Sequence, residues 1–272
     1  MKARTDVLLG ASQLKYFAKM AERYDGAPQP IEGQQRAGRA FLSKVREPLG
    51  VCGQIIPWNF PLPMAIWKIG SALATGNTLV LKLAPETPAT GLLFAQLCHE
   101  AGIPPGVVNI VTGDAEVGEA IVTSPQVDKV SFTGSTEIGR RVMSLAAATL
   151  KKVTLECGGK SANLVLDDAD PALAVDGSLY ATFFHAGQVC ESGTRLLVSR
   201  KQHEAFVEQL VERTRILARA AKAVLRDLNL VLTKNGKTLS FDETPQQFYE
   251  FNGEDAQKVI TGKWSITADG KS

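Results

Sequence analysis

The sequence predicts an α/β fold, a doubly wound and mostly parallel sheet followed by a β-rich C-terminal segment. Three observations predict it. From Pro48 onward, short apolar runs alternate with helical stretches. The connections are short, which favours parallel strands joined by right-handed helical crossovers. In the last fifty or so residues the rhythm changes to period-2 runs around an Asn-Gly pair, the pattern of antiparallel hairpins.

Asp6 to Tyr24 has helical periodicity, with Leu8, Leu9, Tyr16, Phe17 and Met20 as its apolar positions. Asp25 to Arg46 is rich in Gly, Pro and Gln and reads as a loop or extended arm; Gln35 to Arg39 has no pattern of its own. Gly50 to Ile56 is a strand stopped by Pro57. Pro63 to Thr75 is a helix that starts on a proline and ends before Gly76-Asn77. Thr78–Lys82, Val107–Val111, Lys129–Phe132 and Lys152–Glu156 read as further strands. Helices over Pro88–Ala101, Ala115–Thr123 and Glu137–Ala148 separate them. Asn163–Leu166 and Thr194–Val198 add two strands, with helices over Leu173–Phe184 and Gln202 to about Leu225. Leu230–Phe241 is a hairpin turning at Asn235-Gly236, Lys258–Ala268 is strand-like, and the polar stretch Gln246–Glu254 lies between them. The predicted organisation is an arm over 1–47, an alternating α/β core over 48–157, a shorter α/β stretch over 158–226 and a divergent hairpin segment over 227–272.

Thirty Lys+Arg against 28 Asp+Glu leave a formal charge of +2. That balance argues against nucleic-acid or anionic-membrane partners. Four cysteines and three histidines lack metal-type spacing, so no metal site is expected, and the thiols suit a reducing compartment. No signal peptide or membrane-length apolar run is evident. The expected location is cytoplasmic.

In parallel α/β sheets, ligands bind beyond the carboxyl ends of the strands. Asn59, Lys82, Thr112-Gly113, Thr133-Gly134-Ser135 and Glu156 stand there, and Cys190 lies beyond the end of a helix. Asn59, between Trp58 and Phe60, can aim an amide donor at an oxyanion or cap the next helix. Lys82 can meet a ribose or phosphate, or be a solvated strand-end lysine. Thr133-Gly134-Ser135 opens a helix whose first N–H groups can bind a pyrophosphate, with Ser135 also a plain capping residue. Glu156 can act as a general base through water, or accept backbone N–H groups in the Gly158-Gly159 turn. Cys190 can be a nucleophile if its thiol is accessible, or a small buried hydrophobe.

The strings IIPWNFPLPMAIWKIGSALATGNTLVLK, VNIVTG, VSFTGSTEIGRRV, TLECGGKSANLVLDDAD and FFHAGQVCESGTRLLV together resemble the aldehyde dehydrogenase superfamily, from about Thr5 to about Arg213. The resemblance implies that Cys190 is the nucleophile, Glu156 the base for deacylation and Asn59 the oxyanion-holding amide. It assigns cofactor contacts to Ile55, Pro57, Trp58, Lys82, Gly113, Phe132, Thr133, Gly134, Ser135 and Gly158. The implied reaction is NAD(P)-dependent oxidation of a small-molecule aldehyde to a carboxylic acid, through a cysteine thiohemiacetal and thioester.

Three features depart from the family pattern. The glutamate common three residues after the lysine is Pro85 here, followed by Glu86, so NAD is expected with NADP left open. His185 and Ala186 stand before Gly187 where Asn and often Gln or Ala are usual. The chain is much shorter than full members, and a non-catalytic structural, binding or assembly role is the alternative. A homo-oligomer is compatible with either reading.

Overall fold

A computed structural model describes residues 2–23, 29–30, 43–227, 231–234, 237–239 and 264–267. The chain divides into two compact units. One comprises Met1–Ser161 with Phe184–Ser192; the other comprises Ala162–Phe183 with Gly193–Ser272.

The first unit opens with helix α1 (Lys2–Ala21). It begins four residues before the expected start, because Lys2, Ala3 and Arg4 are good helix formers with no breaker among them. In the arm, β1 (Gln29–Pro30) pairs antiparallel with β2 (Ser43–Lys44); positions 31–42, including Gln35–Arg39, lie outside the described residues. The sheet proper follows. Its elements are β3 (Val51–Ile55), α2 (Pro61–Ala74), β4 (Thr78–Lys82), α3 (Pro88–Glu100), β5 (Val108–Val111), α4 (Ala115–Thr123), β6 (Lys129–Gly134), α5 (Thr136–Ala147) and β7 (Lys152–Cys157). All five strands are parallel, in the order β5-β4-β3-β6-β7. The doubly wound expectation holds.

This order follows from what covers each face. Ile66 and Ile69 of α2, with Phe94 and Cys98 of α3, bury against Leu79 and Leu81 on one face. Ile121 and Val122 of α4, with Val142 and Ala146 of α5, bury with Val130 and Phe132 on the other. Strands buried on both faces read as continuous apolar runs, hence their legibility. Helix α1 packs closely on α2 through two glycines. A Cβ on Gly70 would lie 2.3 Å from the Phe17 ring, and one on Gly10 would lie 2.5 Å from Ile66 Cδ1.

Helix α2 starts with Pro61 in its first turn and is closed beyond its C-cap Thr75 by Gly76, whose φ of +74° suits a residue without a side chain. Asn77 secures that exit. Its buried amide donates to the carbonyls of Ala72 and Thr75, while Oδ1 accepts from Leu49 N (2.6 Å) and Gly50 N (3.0 Å). The entry to β3 is therefore pinned to the end of α2.

In the second unit, β8 (Ala162–Val165) runs parallel to β9 (Arg195–Val198). Helices α6 (Pro171–Phe183) and α7 (His203–Asp227) cover them around Val165, Val175, Leu179 and Phe206. Arg213 bridges the Asp176 carboxylate with two bonds of 2.9 Å. Strand β10 (Val231–Lys234) pairs antiparallel with β11 (Lys237–Leu239) and with β12 (Trp264–Thr267). The hairpin forms as expected; its turn at Asn235-Gly236 and the stretch Gln246–Glu254 lie outside the described residues. Among the described residues no helix is long and apolar enough to cross a membrane.

Candidate active site

Strand order reverses between β3 and β6, so the crevice beyond their carboxyl ends is the topological switch point, the place where such sheets bind nucleotides. Ile55 is in register with Lys82 on one side and with Phe132 on the other, and Thr133 with Glu156. The predicted residues on β3, β4, β6 and β7 thus stand along one sheet end.

Lys82 is buried there (6% exposed), not solvated. Its Nζ donates to Leu83 O at 3.2 Å, and burial pushes its pKa down against the opposing pull of Asp114 and Glu86. Ser135 is the N-cap of α5 and accepts from Ile138 N at 3.3 Å. Capping leaves the remaining first-turn N–H groups for a ligand. Gly134 is required by crowding, since a Cβ would lie 2.5 Å from the Phe132 ring. Gly113 takes φ +144°, and Thr133 is buried. A buried lysine, a capped helix start and close-packed glycines at the switch point form a donor set that fits a dinucleotide. Pro57 and Trp58 form the exit of β3, with Trp58 43% exposed. Gly158 lies in the turn after β7, with open space where a Cβ would be.

The thiol lies in the same unit. Phe184–Gly187 forms one 3-10 turn in which His185 (φ 53°) and Ala186 (φ 56°) are left-handed. A turn closed by Ser192 N to Val189 O (3.2 Å) follows, with Cys190 and Glu191 at its centre. Cys190 is exposed, which removes the buried-hydrophobe reading. Asn59 does not cap α2, whose N-cap is Phe60. Its Nδ2 donates to Gln188 O at 2.7 Å, and its backbone carbonyl is 2.7 Å from His185 Nε2. An amide nitrogen carries two donors, so one N–H remains. The His185 ring stands 5.1 Å from that of Phe60 and braces the link. The glycine turn after Glu156 reaches the same segment. A Cβ on Gly159 would be 3.5 Å from Cys190 O, and Ser161 N donates to Ser192 O at 3.1 Å.

Glu156 and Cys190 line one cavity of about 530 Å³ together with Lys68, Ser131, Thr133 and Glu191. Lys68 went unnoticed in the sequence. It is buried on α2, donates to Ser131 Oγ at 2.7 Å, and its backbone carbonyl accepts from Gln54 Nε2. Burial pushes its ammonium down to about 8; Glu156 opposes that shift and Lys129 adds to it. Among the described residues no cluster of three or more metal-ligating side chains occurs.

The aldehyde dehydrogenase family model matches residues 1–227, and the chain belongs to this family. It is 51% identical over 205 residues to human mitochondrial aldehyde dehydrogenase, covering 74% of this chain and 38% of that one. It is 39% identical over 267 residues to betaine aldehyde dehydrogenase of Vibrio vulnificus, covering 97% and 53%. Among solved structures, the NAD+ complex of aldehyde dehydrogenase from Bacillus cereus superposes with a TM-score of 0.71 at 44% identity, covering 76% of this chain and 42% of that one. The chain thus spans between two-fifths and about half of these relatives.

Proposed function

We propose that this chain oxidises an aldehyde to a carboxylic acid with a nicotinamide dinucleotide, using Cys190, Asn59 and Glu156. One observation carries the reading: Glu156 and an exposed Cys190 line one cavity, while the Asn59 amide is tied two residues ahead of that cysteine. The dinucleotide would be held by Lys82, by Thr133-Gly134-Ser135 at the start of α5, and by Ile55, Pro57, Trp58, Gly113, Phe132 and Gly158 around them. When bound, it supplies the hydride acceptor.

Cys190 Sγ, as thiolate, attacks the aldehyde carbon and creates an alkoxide. The remaining Asn59 N–H and the backbone N–H at Cys190 hold that charge; a donor of this kind contributes about 10²–10³ in rate. After oxidation the acyl group is a thioester on Cys190. Glu156 takes a proton from water, the water oxygen attacks the thioester carbon, and the carboxylic acid leaves as the thiolate re-forms. Lys68 lines the same cavity as Glu156, whose charge favours the protonated amine.

The four thiols are free, and we place the reaction in a reducing, cytoplasmic compartment. The test is incubation of the purified chain with several aldehydes and NAD+ or NADP+, following absorbance of the reduced nucleotide. Cys190→Ala is expected to abolish acyl-enzyme formation. Glu156→Gln is expected to leave the first turnover and slow the steady state by about 10²-fold or more. Equal loss of both phases in the Glu156 variant contradicts the division of roles. Because the chain spans only part of its relatives, nucleotide binding without turnover would instead support a non-catalytic binding or assembly role.

A further inference from the structure

The adenosine-ribose end of the nucleotide site carries a charge pattern of its own. The position three residues after Lys82, where the family resemblance leads one to expect a glutamate, is Pro85. A different carboxylate stands nearby. Strand β5 runs beside β4 with Val111 in register with Lys82, and then passes through Thr112-Gly113 to Asp114. Asp114 is the N-cap of α4, yet its side chain makes no capping hydrogen bond. Lys82 lies across this same helix: a Cβ on Gly118 would touch its Cδ at 3.5 Å and its Cε at 3.8 Å. The first turn of α4 is thus the surface on which the Lys82 stem rests, and Asp114 stands at its head. The charged side chains that act on Lys82 are Asp114 and then Glu86, both carboxylates.

A bare helix N-terminus favours a phosphate. An uncommitted carboxylate at that N-terminus does the reverse, because a dianionic group would meet a like charge. A ribose hydroxyl, in contrast, can donate to it.

We propose that Asp114 is the specificity-determining residue of the nucleotide site, standing in for the glutamate absent at Pro85. It accepts a hydrogen bond from a free ribose 2′-hydroxyl and repels a 2′-phosphate, so the chain takes NAD in preference to NADP. This rests on the nucleotide-binding reading above. The repulsion acts between partly exposed groups, so it weakens as salt rises.

The experiment is isothermal titration calorimetry of the full chain with NAD+ and with NADP+, at low and high salt, with no aldehyde present. NAD+ is expected to bind about tenfold tighter or more at low salt, and the gap to narrow at high salt. Asp114→Asn is expected to tighten NADP+ binding about fivefold or more and move the ratio toward unity. Glu86→Gln is expected to move it less. Far-UV circular dichroism and thermal unfolding check that each variant is folded; if Asp114→Asn is not, Asp114→Ser provides the same neutralisation with a capping side chain. Equal affinities in the unaltered chain, an unchanged ratio in the folded neutral variant, or a larger effect from Glu86→Gln each overturn the assignment of Asp114. Failure of both dinucleotides to bind overturns the nucleotide reading itself.

Discussion

Leu150 holds a left-handed backbone, φ 52°, with its side chain 92% exposed. That conformation costs a residue with a Cβ about 1–2 kcal/mol, and no burial offsets it here. Leu150→Gly is expected to stabilise the chain by about 0.5–1 kcal/mol, after allowance for the greater freedom of unfolded glycine. A higher urea midpoint at unchanged slope would register it; an unchanged or lower midpoint would contradict it. His185 and Ala186 share the left-handed geometry, and at the His185 position the resemblance leads one to expect Asn, a residue that tolerates it better. Nothing in the letters His-Ala announces a positive φ, so that strain was invisible in the sequence. Lys68 was invisible for another reason: a lysine inside an amphipathic helix reads as surface. In the fold its amine is buried and shifted to about 8. An amine depressed on folding binds fewer protons folded than unfolded between its two pKa values, so stability rises with pH across that interval. Below about pH 8 both states are protonated and the burial penalty is present in full. Unfolding free energy is expected to climb from about pH 8 toward 10.5 and to flatten in Lys68→Met, as measured by urea titration at several pH values. Glu156→Gln removes the charge that holds the proton on Lys68, and is expected to move that titration lower still, readable by NMR of the labelled amine.

Helix α2 shows how an element becomes a positioning device. Its exit is held by Asn77, which satisfies the N–H groups of Leu49 and Gly50 ahead of β3. Asn77→Ala leaves both donors without that partner in a partly buried turn and is expected to destabilise the unit by about 1–3 kcal/mol. Chemical denaturation measures this directly, and a loss under about 1 kcal/mol would mean that water replaces the amide. Most elements of the sheet were legible because each strand is an apolar run closed by Gly, Pro or a charge, and each helix carries its own punctuation. Boundaries moved by a few residues where no punctuation exists, as at the start of α1. Sheet order was not legible beyond the parallel expectation, because it depends on which faces α2 to α5 cover. In the site, the chemically suggestive positions were readable from residue type, four of them at strand ends and Cys190 beyond a helix. The bond from Asn59 to Gln188 was not, since it joins segments 129 residues apart that no local pattern relates.

At the scale of the molecule, the predicted site belongs to a single compact unit, Met1–Ser161 with Phe184–Ser192. Saturating NAD+ at about a hundred times its dissociation constant would stabilise the state that binds it by about 2.7 kcal/mol. Amide hydrogen exchange is expected to show the gain in β3, β6 and the start of α5, with β8 and β9 little changed; uniform protection throughout, or none, would contradict a site at the switch point. The second unit leaves large apolar side chains open, among them Leu164, Leu166 and Leu173.

The strand order has a further consequence, for synthesis. Strands β3, β4 and β5 leave the ribosome first and are neighbours, so one wing of the sheet can assemble early. The opposite flank of β3 stays bare until Lys129–Gly134 has emerged, a row of open N–H and C=O groups in the middle of the future sheet. A nascent chain stalled between β5 and β6 therefore displays the template most prone to joining another copy, and that is the interval in which a chaperone has most to protect.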